Sequence, residues 1–197
     1  MVQLNTPVQV IPPAKLAHVV LRTRPESYDR LIEFYKTFLG GRTSFESESL
    51  TLVAYDDEDH RVAIVKIPGL APKDPRTCGL HHFAFTFNTL DDLMLAYRQR
   101  KSLGIEPVWC VHHGPSISMY YRDPEGNQLE TQVEVLNSTE ESVAFMSSKE
   151  FKENPWGVDY DPEHIIAELK RGVDPKSFYP RPYIGVREME SVPLSKE

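Results

Sequence analysis

Shifting the chain against itself by 64 residues lays Leu16 on Leu80, His18 on His82, Leu39 on Leu103 and Gly40 on Gly104. A repeat constrains the fold more than any single motif, because each copy must build the same unit and bury it against its neighbour. The first copy opens on an apolar, β-branched run, residues 15–21, expected as a buried strand with His18 as its one polar interruption. Pro25-Glu26-Ser27 then opens a helix. Along it Tyr28, Leu31, Ile32, Phe34, Tyr35, Phe38 and Leu39 recur at near-helical spacing, and Gly40-Gly41 supplies the stop. Strands are expected at 43–46, 50–55 and 61–67.

The second copy repeats the order. Residues 79–87 read as a strand. Residues 90–103 read as a helix, with Asn88 or Thr89 as N-cap and Gly104 as C-cap. A strand at 106–111 and a hairpin follow. The hairpin pairs 116–122 with 127–133 around Asp123-Pro124-Glu125-Gly126, where Pro124 presets φ and Gly126 accepts a positive one. The expected fold is therefore α+β. Two β-α-β-β-β modules, 15–67 and 79–135, form a curved mixed sheet around one site. An arm at 1–14, a connector at 68–78 and a helical and extended tail at 136–197 complete it.

Composition narrows the partners. A net charge of −7 argues against a nucleic-acid partner and against adhesion to an anionic membrane. No apolar run approaches the ~20 residues of a membrane span. The start, Met1-Val2-Gln3-Leu4-Asn5-Thr6-Pro7, lacks the basic-then-apolar pattern of a signal peptide. Cys78 and Cys110 match no zinc spacing. They are expected as free thiols in a reducing cytoplasm, with a single disulfide as the other option.

One histidine on a buried strand is ordinarily a satisfied core residue. Here two occupy equivalent repeat positions, His18 and His82, and Glu130 lies on a later strand. A buried carboxylate is costly without a partner. A divalent cation would satisfy it, and two imidazoles with one carboxylate leave other coordination positions open, as in non-haem Fe(II) oxygenases.

The repeated pattern, with candidate ligands on the two first strands and a last strand, resembles the vicinal oxygen chelate superfamily, which includes glyoxalase I and the type I extradiol ring-cleavage dioxygenases. The hairpin is similar to the extradiol signature: His113, Met119-Tyr120, Asp123-Pro124, Gly126 and Glu130 fill it without a gap. The likeness covers roughly 15–135 and points to the short dihydroxybiphenyl dioxygenases. It implies His18, His82 and Glu130 as ligands of Fe(II), with Mn(II) as the other candidate. It implies His60 as acid/base, and His113 and Tyr120 as hydrogen-bonding partners of a metal-bound aromatic diol that reacts with O2. His81 and His112 compete with His82 and His113; the repeat selects His82 and the signature selects His113. His60 abuts an acidic turn and has simple pairing there as its alternative role. His164 is expected at the surface.

Two other functions fit the scaffold. A glyoxalase-type isomerase usually wants a different metal and often a fourth protein ligand, and no carboxylate stands in the first copy where Glu130 stands in the second. A metal-free binding or resistance protein need not keep a ligand triad at all. After Val135, residues 138–152 and a helix capped by Asp161-Pro162 and stopped by Gly172 lead into a Pro- and Tyr-rich end. That end is expected to cover the pocket mouth or a partner subunit, and a homo-oligomer, dimer or larger, is expected.

Overall fold

The computed structural model describes residues 10–196, with side chains through Leu194. Of the expected arm, 1–9 lies outside the described residues and 10–14 is irregular. The first copy forms β1 (Val19–Thr23), α1 (Tyr28–Leu39), β2 (Arg42–Glu46), β3 (Leu50–Ala54) and β4 (Val62–Lys66). The second forms β5 (His82–Thr86), α2 (Leu90–Ser102), β6 (Trp109–His112), β7 (Ser116–Arg122) and β8 (Gln128–Glu134). The expected mixed sheet is realised as two hydrogen-bonded sheets, ordered β1-β4-β3-β2 and β5-β8-β7-β6, the second extended by a short β9 (Val158–Asp159) on β6. In each, the first strand pairs in parallel with the last strand of its own copy, and the remaining pairs are antiparallel.

Local chemistry explains the helix limits. Gly40 takes φ 59° at the end of α1 and its N–H reaches back to the last turn, a left-handed conformation that costs glycine little. The Thr89 hydroxyl accepts from the Asp92 N–H at the start of α2. The first strand departs from expectation: β1 begins at Val19, so His18 lies just before it and is exposed, not buried within it. Pairing with β4 starts at Val19 and Val62. Upstream, the Arg61 guanidinium takes the carbonyls of Leu16 and Ala17, at 3.3 and 3.0 Å. A side chain thus satisfies this backbone in place of a ladder.

The two copies share one core. Tyr35 and Phe38 of α1 are fully buried. Phe38 meets Tyr121 edge-on with ring centres 5.0 Å apart, and Tyr35 stacks with Phe83 at 6.4 Å. Each such side chain contributes about 1.5–3 kcal/mol by burial. The Tyr35 hydroxyl donates to Asp123 Oδ2 at 2.9 Å, tying α1 to the hairpin turn of the other copy. Arg100 of α2 is buried, donates to the Phe38 carbonyl at 2.9 Å and lies 4.1 Å over the Phe38 ring.

The expected helix at 138–152 is two helices, α3 (Thr139–Met146) and α4 (Lys149–Glu153), with Ser148 capping the second. Serine at this junction offers its hydroxyl to the Phe151 N–H and so restarts the helix. Next comes α5 (Pro162–Lys170), capped by the Asp161 side chain. Beyond it, two of the 3₁₀ turns are Pro175–Phe178 and Met189–Ser191. Among the described residues no helix is long and apolar enough to cross a membrane. Both cysteines are free, Cys78 exposed and Cys110 half-buried; burial pushes the Cys110 thiol up to about 12.

Candidate functional site

Strand register decides which side chains meet. Tyr120 sits directly opposite Glu130 across β7 and β8, and opposite Trp109 across β7 and β6. On the other side of β8, Glu130 is level with Ala84, which puts His82 two residues away on the same face. Tyr121, Leu129 and Phe83 point the other way, into the core. So Trp109, Tyr120, Glu130 and His82 share one face of the second sheet.

On that face His82 Nε2 lies 3.0 Å from Glu130 Oε2. The Glu130 side chain is 7% exposed and that of His82 30%. His82 Nδ1 meets His81 Nδ1 at 2.7 Å, so one of the two must carry the shared proton. His113 Nε2 lies 3.1 Å from the Tyr120 hydroxyl. Tyr120 stacks on Trp109 at 5.2 Å, and the His113 ring meets Trp109 edge-on at 5.7 Å.

The turn that sets this register is tightly bonded. The Asp123 carboxylate accepts from the N–H groups of Glu125 and Asn127, at 2.9 and 2.8 Å, and from Asn127 Nδ2 at 2.8 Å, besides Tyr35. Gly126 takes φ 82° within it.

Charges on the face follow from burial and pairing. Burial works against ionisation of Glu130, but hydrogen bonds from His82 and Ser118 and the nearby imidazoles outweigh it, so its carboxyl lies below the usual range. Burial first, then the charge and hydrogen bond of Glu130, hold the Tyr120 phenol above its ordinary value. Tyr120 is thus a proton donor at neutral pH. Burial lowers His113 against the opposing pull of Glu130 and a hydrogen bond to the Trp156 backbone.

The other two predicted residues belong to the first copy. His18 and His60 pack ring against ring, 4.4 Å between centres. His60 Nδ1 also contacts Asp59 Oδ2 at 2.8 Å, so the pairing foreseen for the acidic turn does form. His18 and His82 line a common cavity of about 570 Å3 with Tyr55, Arg61, Phe83 and Phe85, a size suited to a small aromatic ligand.

Among the described residues no group of three or more His, Cys, Asp or Glu side chains is placed to hold a metal ion, so His18 does not converge with His82 and Glu130 in this structure. His82 and Glu130 fit a cation as they stand, an imidazole and a carboxylate held together through a lone pair and a proton that a divalent ion would displace. His18 shares a cavity with His82 alone of that pair, since Glu130 does not line it.

Several neighbours had no sequence signal of their own. Trp109 is fixed by Asp159 Oδ1, 2.7 Å from its Nε1. Val192 and Leu194 pack on Trp109, Val111 and Tyr120. The end of the chain therefore covers part of this chain's own site face. His112 faces away from His113 and is wholly occupied: its Nδ1 accepts from the Gly114 N–H at 3.1 Å, which leaves Nε2 to donate to the Tyr179 carbonyl at 2.9 Å. His164 is exposed on α5.

Known proteins are similar to this chain. Biphenyl-2,3-diol 1,2-dioxygenase 2 of Rhodococcus globerulus is 40% identical over 159 residues, 80% of this chain and 83% of the relative. Biphenyl-2,3-diol 1,2-dioxygenase 3 of the same organism is 38% identical, over 81% and 84%. A crystal structure of a glyoxylase/bleomycin resistance protein/dioxygenase domain from Frankia sp. EAN1pec, 16% identical, aligns over 62% of this chain and 99% of that domain with a TM-score of 0.53, a likeness of fold. A sequence model of the family matches residues 15–131. With paired β-α-β-β-β copies, a shared core and this breadth of match, the chain belongs to the Glyoxalase/Bleomycin resistance protein/Dioxygenase superfamily.

Proposed function

We propose that the protein is an extradiol dioxygenase that opens the aromatic ring of a catechol-type diol with O2, using Fe(II) held by His18, His82 and Glu130. The observation that carries the reading is the contiguous set His82–Glu130–Tyr120–His113 on one sheet face. The relatives named as biphenyl-2,3-diol dioxygenases support the substrate class. A bound ferrous ion would supply Lewis acidity and a common point for orienting two reactants.

The chain's own residues do the rest. Tyr120 donates from a phenol that stays protonated, and it holds one diol oxygen. His113, whose ring is anchored on the Trp156 backbone, holds the other through Nε2 once the diol takes the place of its contact with the Tyr120 hydroxyl. His60, packed on His18 and bonded to Asp59, is the acid/base that accepts a diol proton and later returns it. Tyr55, Phe83 and Phe85 give apolar character to the cavity beside His18 and His82.

The reading places the protein in the cytoplasm, as a homo-oligomer that pairs through exposed strand edges. Phe45 on the edge strand β2 is 50% exposed. Aerobic incubation of iron-loaded protein with a panel of catechols, biphenyl-2,3-diol included, tests the activity. A yellow ring-opened product with one O2 consumed per diol is expected. Metal analysis after anaerobic loading should return one iron per chain, and manganese loading tests the other ion. Binding of diol without O2 uptake by the iron-loaded protein would refute the proposal. Sedimentation velocity checks the assembly.

A further inference from the structure

In the tail, a buried cation has had no part in the site described so far. Arg181 lies in the irregular segment after α5, between Pro180 and Pro182. Its side chain is 1% exposed. Its Nε donates to Glu150 Oε1 at 3.0 Å and its Nη2 to the Glu150 carbonyl at 3.3 Å. Its Nη1 donates to two carbonyls at once, His113 at 3.1 Å and Asn154 at 2.9 Å. The guanidinium also lies 4.9 Å from the Phe145 ring centre.

Nη1 thus ties two backbone carbonyls together. One belongs to His113 itself. The other opens the Asn154-Pro155-Trp156-Gly157 loop, which Asn154 closes on Gly157 with bonds of 2.9 and 2.8 Å. That loop presents the Trp156 backbone to which the His113 imidazole is hydrogen-bonded. Phe145 fills the space beside the next residue so closely that a Cβ on Gly114 would fall 2.0 Å from its ring. The hairpin fixes where His113 starts; the tail fixes where its ring points.

We propose that Arg181 is a positioning residue for His113, holding both the His113 peptide and the loop that orients its imidazole, so that a residue outside the family-matched region sets the geometry of the diol site. This rests on the proposed role of His113 in the reaction. Only a planar guanidinium can meet the requirement. Its N–H groups are spread over three nitrogens, and two lie on the one nitrogen that bridges the carbonyls. A lysine ammonium in the same place is a single point and cannot reach Glu150 and both carbonyls together.

A double-mutant cycle on the iron-loaded full chain tests it, with Arg181→Met, Arg181→Lys, His113→Ala and the two combinations with His113→Ala. Turnover of biphenyl-2,3-diol is the readout, alongside iron content and thermal midpoint. Arg181→Met and Arg181→Lys should each lose about tenfold or more in kcat/KM with iron still bound, as expected for a misplaced hydrogen-bonding group. In the His113→Ala background the same changes should cost less than about twofold, because the group they position is gone. Equal losses in both backgrounds would overturn the proposal and leave Arg181 a packing residue. So would full activity of Arg181→Lys. Unimpaired His113→Ala would instead overturn the role of His113, a separate and distinguishable failure. If Arg181→Met fails to fold, the lysine variant completes the cycle.

Discussion

Acid should loosen the tail through His112, and the size of the effect follows from its surroundings. His112 is 5% exposed and both ring nitrogens are spoken for, one accepting from Gly114 and one donating to Tyr179. A second proton has no acceptor to meet. Burial accordingly lowers this imidazole from 6.5 to about 4, against the pull of the Tyr179 and Phe178 backbone. Its folded value lies below its unfolded one, so the unfolded chain binds the extra proton first. The stability it contributes is complete above about pH 6.5 and is lost as pH falls toward 4. Between pH 7 and pH 5 the loss is about 2 kcal/mol. Urea denaturation of the metal-free protein at pH 7, 6 and 5, monitored by tryptophan fluorescence, measures it. Other groups titrate over this range, so the comparison is with His112→Gln, which offers a donor to Tyr179 but no titrating ring. That variant should cost about 1 kcal/mol at pH 7 through the lost Gly114 bond, and the gap should close or reverse by pH 5. Parallel pH curves for the two proteins would refute the argument.

Three further outcomes follow from the geometry. Tyr35→Phe removes one of four bonds to the buried Asp123 carboxylate and should cost about 1.5–3 kcal/mol in urea denaturation; no loss would mean water takes the donor's place. His60→Ala and Tyr120→Phe should keep iron but lose turnover, on the order of tenfold or more, and unchanged ring cleavage in both would remove them from the reaction. Deleting residues 189–197 strips Val192 and Leu194 from Trp109 and Tyr120, so the fluorescence of the protein should shift to the red and KM for a bulky diol should change while iron content holds; an unaltered spectrum and KM would show that the end of the chain is not a wall of the site.

Periodicity alone determined a good deal of this protein. Apolar spacing and glycine stops gave α1 its ends, the 64-residue repeat required two like units, and the Asp123–Gly126 turn fixed the hairpin, because these depend on residues near one another in the chain. Once the register of that hairpin was set, the pairing of Tyr120 with Glu130 followed from the two-residue alternation of a strand. The apolar run suggests a buried His18, yet His18 is exposed because a long-range contact, Arg61 on the Leu16 and Ala17 carbonyls, takes the place of the ladder there. Such a contact leaves no local pattern. The same holds for Arg181, Trp109, Val192 and Leu194, and for the division of labour between His112 and His113. Each acquires its role from a partner tens of residues away, reached through chain with no hydrophobic period to read. Only tertiary packing brings those partners within hydrogen-bonding or van der Waals distance, and it does so on the one sheet face where the sequence had already gathered an imidazole, a phenol and a carboxylate.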